Sequence, residues 1–224
     1  MPGPSPIFVF DAFGTLFDVH SAAREHREVL GEKAERVSEI WRAKQLEYTW
    51  IHAGIGGVAP PFREVTRLSL HYALSVCGLD KTLAPLLLES YQRLDPFPEV
   101  RAALQRLRDS GAHLAILSNA DPDMLDDLVA NSGLEGVFEY LITARVAGTF
   151  KPSPSVYALA TEVYQCAPAD VVLVSSNRWD IAGAKAFGFV TVWVNRTGQP
   201  DEYPETVADQ RIADLSSMKT AARK

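Results

Sequence analysis

The sequence predicts an α/β fold, a Rossmann-like doubly wound parallel sheet core with an inserted all-helical cap. Three observations favour this fold. The opening run, residues 7–10, is apolar throughout, which is typical of a strand buried on both faces of a parallel sheet. Residues 18–96 then show only helical patterns. From residue 99 onward, strand patterns alternate with helical patterns, which indicates helices on both faces of one sheet.

The first strand ends at Asp11, which is followed by Ala-Phe-Gly-Thr. A carboxylate there emerges at the carboxyl edge of the sheet, where open α/β folds keep their ligand crevice. Gly14 permits a tight turn that points backbone N–H groups at the same crevice, and Thr15 adds a hydroxyl. An isolated aspartate at a strand end is often only a turn or helix cap. Its role therefore has to be inferred from the residues that follow the other strands.

The helical insertion is bounded by turn residues. Amphipathic patterns predict three helices, at residues 20–55, 62–77 and 79–94. A Gly- and Pro-rich break at 54–61 ends the first, Gly78 and Asp80 separate the other two as C-cap and N-cap signals, and Pro96 closes the unit. The predicted domains are a core of residues 1–17 and 97–224 and a cap of residues 18–96.

Polar residues follow the later strands, which are predicted at 113–117, 140–143, 171–174 and 190–194. Asp121 and Ser153, each followed by proline, are predicted to cap the next helices. Singly, each polar residue has an ordinary structural role in a turn, cap or solvated loop. Because parallel strands end at one edge, we expect the following set to converge there: Asp11, Ser118, Asn119, Lys151, Ser175, Asn177 and Asp180.

Composition narrows the class of protein. The chain has 224 residues, 47% of them hydrophobic, enough for one domain with an elaboration or for two small domains. No apolar run approaches the roughly 20 residues of a membrane span, and residues 1–6 are rich in proline, unlike a signal peptide. The net charge is −6, and residues of both signs are distributed along the chain, which argues against a nucleic-acid partner. Cys77 and Cys166 are not spaced for metal binding, so reduced thiols and a cytoplasmic location are predicted.

The motifs, in this order, resemble the haloacid dehalogenase superfamily over nearly the whole chain. They are Asp11 with Gly14-Thr15, Ser118-Asn119, Lys151-Pro152 and the segment 175–180. The cap segment 41–50 and the segment 175–180 are more specific and resemble the L-2-haloacid dehalogenases. The resemblance implies a Rossmann-like core with a helical cap over the site, the architecture that the element order predicts independently.

Position 13 favours one branch of that superfamily. Its phosphatases carry a second aspartate there, which protonates the leaving alkoxide, whereas Phe13 cannot donate a proton and a halide leaves without one. Ser175, Ser176 and Asn177 make a poor hard-cation site, so no metal and no cofactor are predicted. A magnesium-dependent phosphatase and a haloacetate-specific dehalogenase remain alternatives. A non-catalytic descendant is disfavoured, because every chemical position is filled.

The resemblance implies a two-step hydrolysis of short (S)-2-haloacids to (R)-2-hydroxyacids and halide, through an ester on Asp11. The substrate carboxylate would be held by Ser118 and the N–H groups of Ala12 and Phe13, with Lys151 nearby. Arg42 and Asn119 would receive the halide. Asp180 would act as the base for ester hydrolysis, and the residues fixing its water would be Thr15, Ser175 and Asn177.

The remaining expectations concern the surroundings of the site. Tyr157 is expected to orient Lys151, although a tyrosine in a helix can equally be a packing residue. The apolar wall is predicted from Phe13, Leu46, Phe62 and Trp179. The partners are a 2-haloacid, water and halide, with no nucleic acid or membrane. The resemblance implies a homodimer, and a leucine-rich segment of the cap, residues 83–88, could serve either cap packing or a dimer contact.

Overall fold

The computed structural model describes residues 5–219, so the first four and the last five residues of the predicted core lie outside it. Within that range the strands form one six-stranded parallel sheet in the order β3-β2-β1-β4-β5-β6. The strands are β1 Ile7–Phe10, β2 His113–Ser118, β3 Tyr140–Thr143, β4 Val171–Ser175, β5 Val190–Val194 and β6 Gln210–Ile212. The predicted fold class is confirmed, while β6 was not predicted.

The central strand β1 is buried on both faces. Phe8 and Phe10 pack into one apolar cluster and Val9 into another on the opposite side of the sheet. This alternation follows from the period of two in a strand, and it explains why the run is apolar without interruption. Helices cover both faces, as the element order predicted. Because β1 lies between β2 and β4, Asp11 emerges at the middle of the sheet edge.

The helices of the core match the predicted alternation. They are α6 Val100–Asp109, α7 Pro122–Asn131, α8 Pro154–Tyr164 and α9 Arg178–Phe187. The insertion contains α1 Ser21–Glu25, α2 Arg27–Leu30, α3 Ala34–Ile55, α4 Phe62–Val76 and α5 Ala84–Tyr91. No helix within residues 5–219 combines the length and apolarity that a membrane crossing requires.

Two helix predictions in the cap were wrong in extent. Residues 20–55 do not form one helix, because Gly31 adopts φ 59° and interrupts the chain before α3. The third predicted helix begins later, since Lys81–Leu83 form a 3₁₀ turn before α5. Asp80 does act as a cap, because its side chain accepts the backbone N–H of Thr82 at 2.8 Å.

The chain enters and leaves the insertion at one place. Phe17 forms a bridge with Pro96, and the Asp18 N–H donates to the Asp95 carbonyl at 2.8 Å. The predicted division, at 17/18 and 96/97, falls at this crossing. We propose these residues as the boundary between core and cap.

Asp121 ties the cap to the core on another side. Its carboxylate accepts the N–H groups of Phe62 at 3.1 Å and Arg63 at 2.9 Å, which begin α4. Asp121 does occupy the predicted N-cap position of α7, but its side chain makes no cap bond there and its carboxylate caps α4 instead. Ser153 likewise makes no cap bond to α8, and its hydroxyl lies 3.0 Å from that of Ser155.

Candidate active site

The site is built around the carboxylate of Asp11, whose residue is only 5% exposed. One oxygen, Oδ2, accepts the Thr15 hydroxyl at 2.8 Å and the Asn177 amide at 2.7 Å. The other, Oδ1, accepts the Lys151 ammonium at 3.3 Å. Three donors from three segments thus fix the orientation of the carboxylate in a place that water hardly reaches.

The turn after β1 presents backbone donors beside that carboxylate. The Ala12 carbonyl accepts the N–H groups of Thr15, Leu16 and Phe17, so the chain curls tightly. Gly14 allows this with φ 85°, a left-handed value that other residues rarely adopt. Within residues 5–219, the N–H groups of Ala12 and Phe13 donate to no backbone acceptor. They are therefore free to hold an anionic group.

Lys151 is 1% exposed and lies between two carboxylates. Its ammonium is 3.3 Å from Asp11 and 2.8 Å from Asp180. Burial alone would lower the pKa of Lys151, but the two carboxylates outweigh it and the pKa is raised. The backbone N–H of Lys151 donates to the Asn119 side chain at 2.9 Å, which holds the loop in place. The site therefore contains a permanent buried cation.

Asp180 is fully buried at the start of α9. One of its oxygens accepts Lys151 and the other accepts the Tyr157 hydroxyl at 2.8 Å. Burial raises the pKa of Asp180, the Lys151 ammonium opposes this, and the Asp11 charge adds to it. Tyr157 was predicted to orient Lys151, but its hydroxyl contacts Asp180 instead. Burial raises the pKa of Tyr157 well above its usual value, so this hydroxyl is a neutral donor.

The turn after β4 connects core and cap. Asn177 donates its amide to Asp11 and to the Phe13 carbonyl, while its own oxygen accepts Arg42 at 3.2 Å. The Ser175 hydroxyl accepts the Asn177 N–H at 3.1 Å and so shapes the turn. The next residue, Ser176, donates its N–H to the Thr15 hydroxyl at 2.8 Å, a contact that no sequence signal indicated.

Arg42 reaches the site from α3 of the cap. Its Nη2 donates to the Phe13 carbonyl and to Asn177, each at 3.2 Å. Its Nη1 donates to the Gln45 side chain at 2.8 Å. A guanidinium placed there brings a second positive charge to the edge of a site that already contains Lys151.

Aromatic rings of the core and the cap pack against each other in two places. Phe13 packs against Phe62 and Tyr91 of the cap, with ring centroids 5.3 and 5.5 Å apart. Trp179 meets Trp50 edge-on at 5.7 Å, and Leu46 is half-buried on α3. Tyr91 and Gln45 had no assigned role in the sequence, because a lone tyrosine and a lone glutamine in helices carry no chemical signal.

The predicted residues differ in how they join the site. Direct side-chain hydrogen bonds link Asp11, Thr15, Arg42, Lys151, Tyr157, Asn177 and Asp180. Ser175 and Asn119 act on neighbouring backbone groups. Ser118 is buried, and its hydroxyl oxygen accepts the Ala120 N–H at 3.1 Å. Within residues 5–219, no three His, Cys, Asp or Glu side chains are arranged to hold a metal ion.

Comparison with known proteins identifies the family. The protein-family model of the haloacid dehalogenase-like hydrolases matches residues 6–188 of the chain. Haloacetate dehalogenase H-2 of Moraxella sp. (strain B) is 44% identical over 84% of this chain and 85% of its own. The (S)-2-haloacid dehalogenase of Xanthobacter autotrophicus is 42% identical over 94% of this chain and 83% of its own. A structure of the Xanthobacter autotrophicus L-2-haloacid dehalogenase with covalently bound chloropropionic acid superposes with a TM-score of 0.85, at 37% identity over 94% and 95% of the two chains.

The chain belongs to the haloacid dehalogenase-like hydrolase family. The resemblance to L-2-haloacid dehalogenases, predicted from the cap segment and the last motif, is confirmed by these relatives. The enzyme class that they support is a hydrolase of carbon–halogen bonds.

Proposed function

We propose that this protein hydrolyses short (S)-2-haloacids to (R)-2-hydroxyacids and halide, through an ester on Asp11. The observation that carries the proposal is the buried Asp11 carboxylate, held by three donors beside an apolar residue at position 13. A nucleophilic carboxylate is needed for ester formation, and a halide leaves without a proton. The covalently bound chloropropionic acid in the related enzyme supports this chemistry.

In the first step, an oxygen of Asp11 forms a bond to C2 of the substrate while the carbon–halogen bond breaks. The bonding pair departs with the halide, and the configuration at C2 inverts. The substrate carboxylate is held by the free N–H groups of Ala12 and Phe13 and by the Ser118 hydroxyl, with the Lys151 charge nearby. Fixing both reactants in line contributes much of the acceleration in such a displacement.

The departing halide needs a positive or hydrogen-bonding partner on the far side of C2. Arg42 is the candidate with a full charge, and it reaches the Phe13 carbonyl next to the nucleophile. Asn119 is the second candidate. Its oxygen is taken by the Lys151 N–H, so its amide nitrogen would serve the halide.

In the second step, Asp180 takes a proton from a water molecule, and the water oxygen attacks the Asp11 carboxyl carbon. The bond between that carbon and the ester oxygen then breaks, and the departing oxygen takes up the proton held by Asp180, which releases the hydroxyacid. The second water proton, left on the Asp11 carboxyl group, passes to solvent, so that both carboxylates are restored. Burial raises the pKa of Asp180, which makes its carboxylate a stronger base. Thr15 and Asn177, which donate to the Asp11 carboxylate, and Ser175, which accepts the Asn177 N–H, are the residues proposed to fix that water.

We propose that no metal takes part. The Lys151 ammonium already compensates Asp11 and Asp180, and Phe13 stands where the phosphatases of the superfamily carry their proton donor. A panel of racemic 2-chloropropionate, chloroacetate and a generic phosphoester with and without Mg²⁺ separates the alternatives. Chloroacetate is included as a second candidate substrate, because one relative is a haloacetate dehalogenase.

Isotope incorporation in one turnover tests the ester. Enzyme in excess over substrate is incubated in ¹⁸O-labelled water, and the peptide containing Asp11 is then weighed by mass spectrometry. The heavy isotope is expected in Asp11, because water attacks its carboxyl carbon. A labelled hydroxyacid with an unlabelled Asp11 peptide would instead mean that water attacks C2 directly.

We also propose a cytoplasmic homodimer. Both cysteines, Cys77 and Cys166, are free. In the leucine-rich segment Leu87 is fully buried and Leu86 is 39% exposed, so that segment serves mainly cap packing. Other exposed apolar side chains lie on α3 and α4, namely Ile51, Ile55, Leu68, Tyr72 and Val76. Light scattering at micromolar concentration is expected to give twice the mass of one chain.

A further inference from the structure

A buried polar network lies behind Arg42 in the cap. Gln45 is 1% exposed, and its carbonyl oxygen accepts Arg42 at 2.8 Å and the Tyr91 hydroxyl at 3.1 Å. Its amide nitrogen donates to the Thr66 hydroxyl at 2.8 Å, and that hydroxyl donates onward to a carbonyl of α4. The network therefore fixes which end of the Gln45 amide faces the arginine.

Tyr91 is the second fixed member of this network. It is 3% exposed, and its ring stacks on Phe13 at 5.5 Å and packs against Trp41 at 4.8 Å. Burial raises the pKa of Tyr91, so its hydroxyl stays neutral and donates to Gln45. Side chains of α3, α4 and α5 thus meet at one amide group.

This network restrains the guanidinium of Arg42. Gln45 holds its Nη1, while the Phe13 carbonyl and Asn177 hold its Nη2. A free arginine side chain would lose considerable rotamer entropy on binding an anion, and this restraint removes that cost in advance. The charge is thereby kept at a fixed place beside the nucleophile.

We propose that Gln45 and Tyr91 are positioning residues, which hold Arg42 against the departing halide and set how strongly the enzyme depends on the halogen. This inference rests on the proposed function. Negative charge develops on the halogen as its bond to C2 breaks, and chloride is both smaller and a poorer leaving group than bromide. A loosened Arg42 should therefore slow chloride release more than bromide release.

The test is single-turnover halide release from 2-chloropropionate and 2-bromopropionate. Gln45→Met removes the carbonyl with little change of shape and is expected to slow chloride release by about 10- to 100-fold, the effect of one hydrogen bond to a charged group. Bromide release should fall less, and ester hydrolysis should be unchanged, because Arg42 takes no part in it. Tyr91→Phe should shift the ratio severalfold in the same direction.

A matched control is Tyr140→Phe, which removes a hydroxyl from β3 of the core, where the residue is 41% exposed. It should leave both halogens and both steps unchanged. A merely structural defect in Gln45→Met or Tyr91→Phe would slow both halogens and both steps by one common factor. That outcome would overturn the positioning role.

A second measurement needs no turnover. Bromide added to the resting protein is followed by tryptophan fluorescence, and Gln45→Met is expected to bind it at least several-fold more weakly than the wild type. If the wild type releases no halide from either acid, the proposed function fails, and bromide affinity alone then decides the positioning role. Equal bromide affinity in wild type and Gln45→Met would refute it.

Discussion

Replacing Lys151 by methionine should remove the ammonium that lies between two buried carboxylates. The ammonium is 3.3 Å from Asp11 and 2.8 Å from Asp180, and all three side chains are at most 7% exposed. Breaking a buried ion pair by deleting one partner costs about 3–5 kcal/mol, because the other charge stays buried without compensation. Lys151→Met should therefore lower the free energy of unfolding by about that amount at pH 8, and should abolish turnover.

The loss of unfolding free energy in Lys151→Met should be smaller at low pH. Lys151 is the main group that lowers the pKa of Asp180 against burial, so its removal raises that pKa further above the unfolded value. An acid whose folded pKa is raised binds protons more readily in the folded state, so folding is favoured as the pH falls through the folded pKa. A proton then takes the place of the ammonium, and part of the lost stability should return at pH 5.

Urea unfolding at pH 8 and pH 5 measures both effects. Lys185→Met is the control, since Lys185 pairs with Asp209 at the surface with 35% of its side chain exposed. Such pairs contribute about 0–1 kcal/mol, so the control should change little at either pH. If Lys151→Met cost less than about 1 kcal/mol and lost the same at both pH values, the ammonium would not be compensating the two carboxylates.

Three further predictions concern the nucleophile, the cap of α4 and the absence of a metal. Asp11→Asn should abolish turnover in a halide-release assay, because an amide cannot form the ester; wild-type rates would exclude Asp11 as the nucleophile. Asp121→Ala should lower the free energy of unfolding by about 1–2 kcal/mol through loss of the α4 cap, whereas the exposed Asp123→Ala should cost less, and equal losses in urea titrations would contradict this. Halide release should be unaffected by EDTA, and activity restored only by Mg²⁺ would contradict the metal-free route.

The convergence of polar residues at one sheet edge could be predicted because it depends on strand direction alone. Parallel pairing places Phe10 opposite both Ile116 and Val174, so the residues after these strands share one edge. The period of apolar residues and the turn residues fix the strands and their direction. Asp11 therefore meets the β2 and β4 loops whatever the details of packing.

Contacts that depend on tertiary packing could not be predicted in this way. Asp121 has the sequence context of a cap for α7, yet its carboxylate reaches the N-terminus of α4, 59 residues earlier in the chain. Gln45 on α3 and Tyr91 on α5 are 46 residues apart in the chain and meet only through the tertiary packing of the cap. The strand β6 has three residues, of which only Ile212 is buried, so its pattern is too short to stand out.

The charges in the site favour a monoanionic substrate. Asp11 and Asp180 contribute two negative charges, which Lys151 and Arg42 balance in the free protein. A 2-haloacid adds one negative charge, which the free N–H groups of Ala12 and Phe13 can accept. A phosphoester dianion would add two negative charges beside a buried nucleophile that is itself anionic. The ammonium of Lys151 already fills the space between the two carboxylates. The charge arrangement therefore supports the proposed haloacid substrate over a phosphoester, independently of the missing proton donor at position 13.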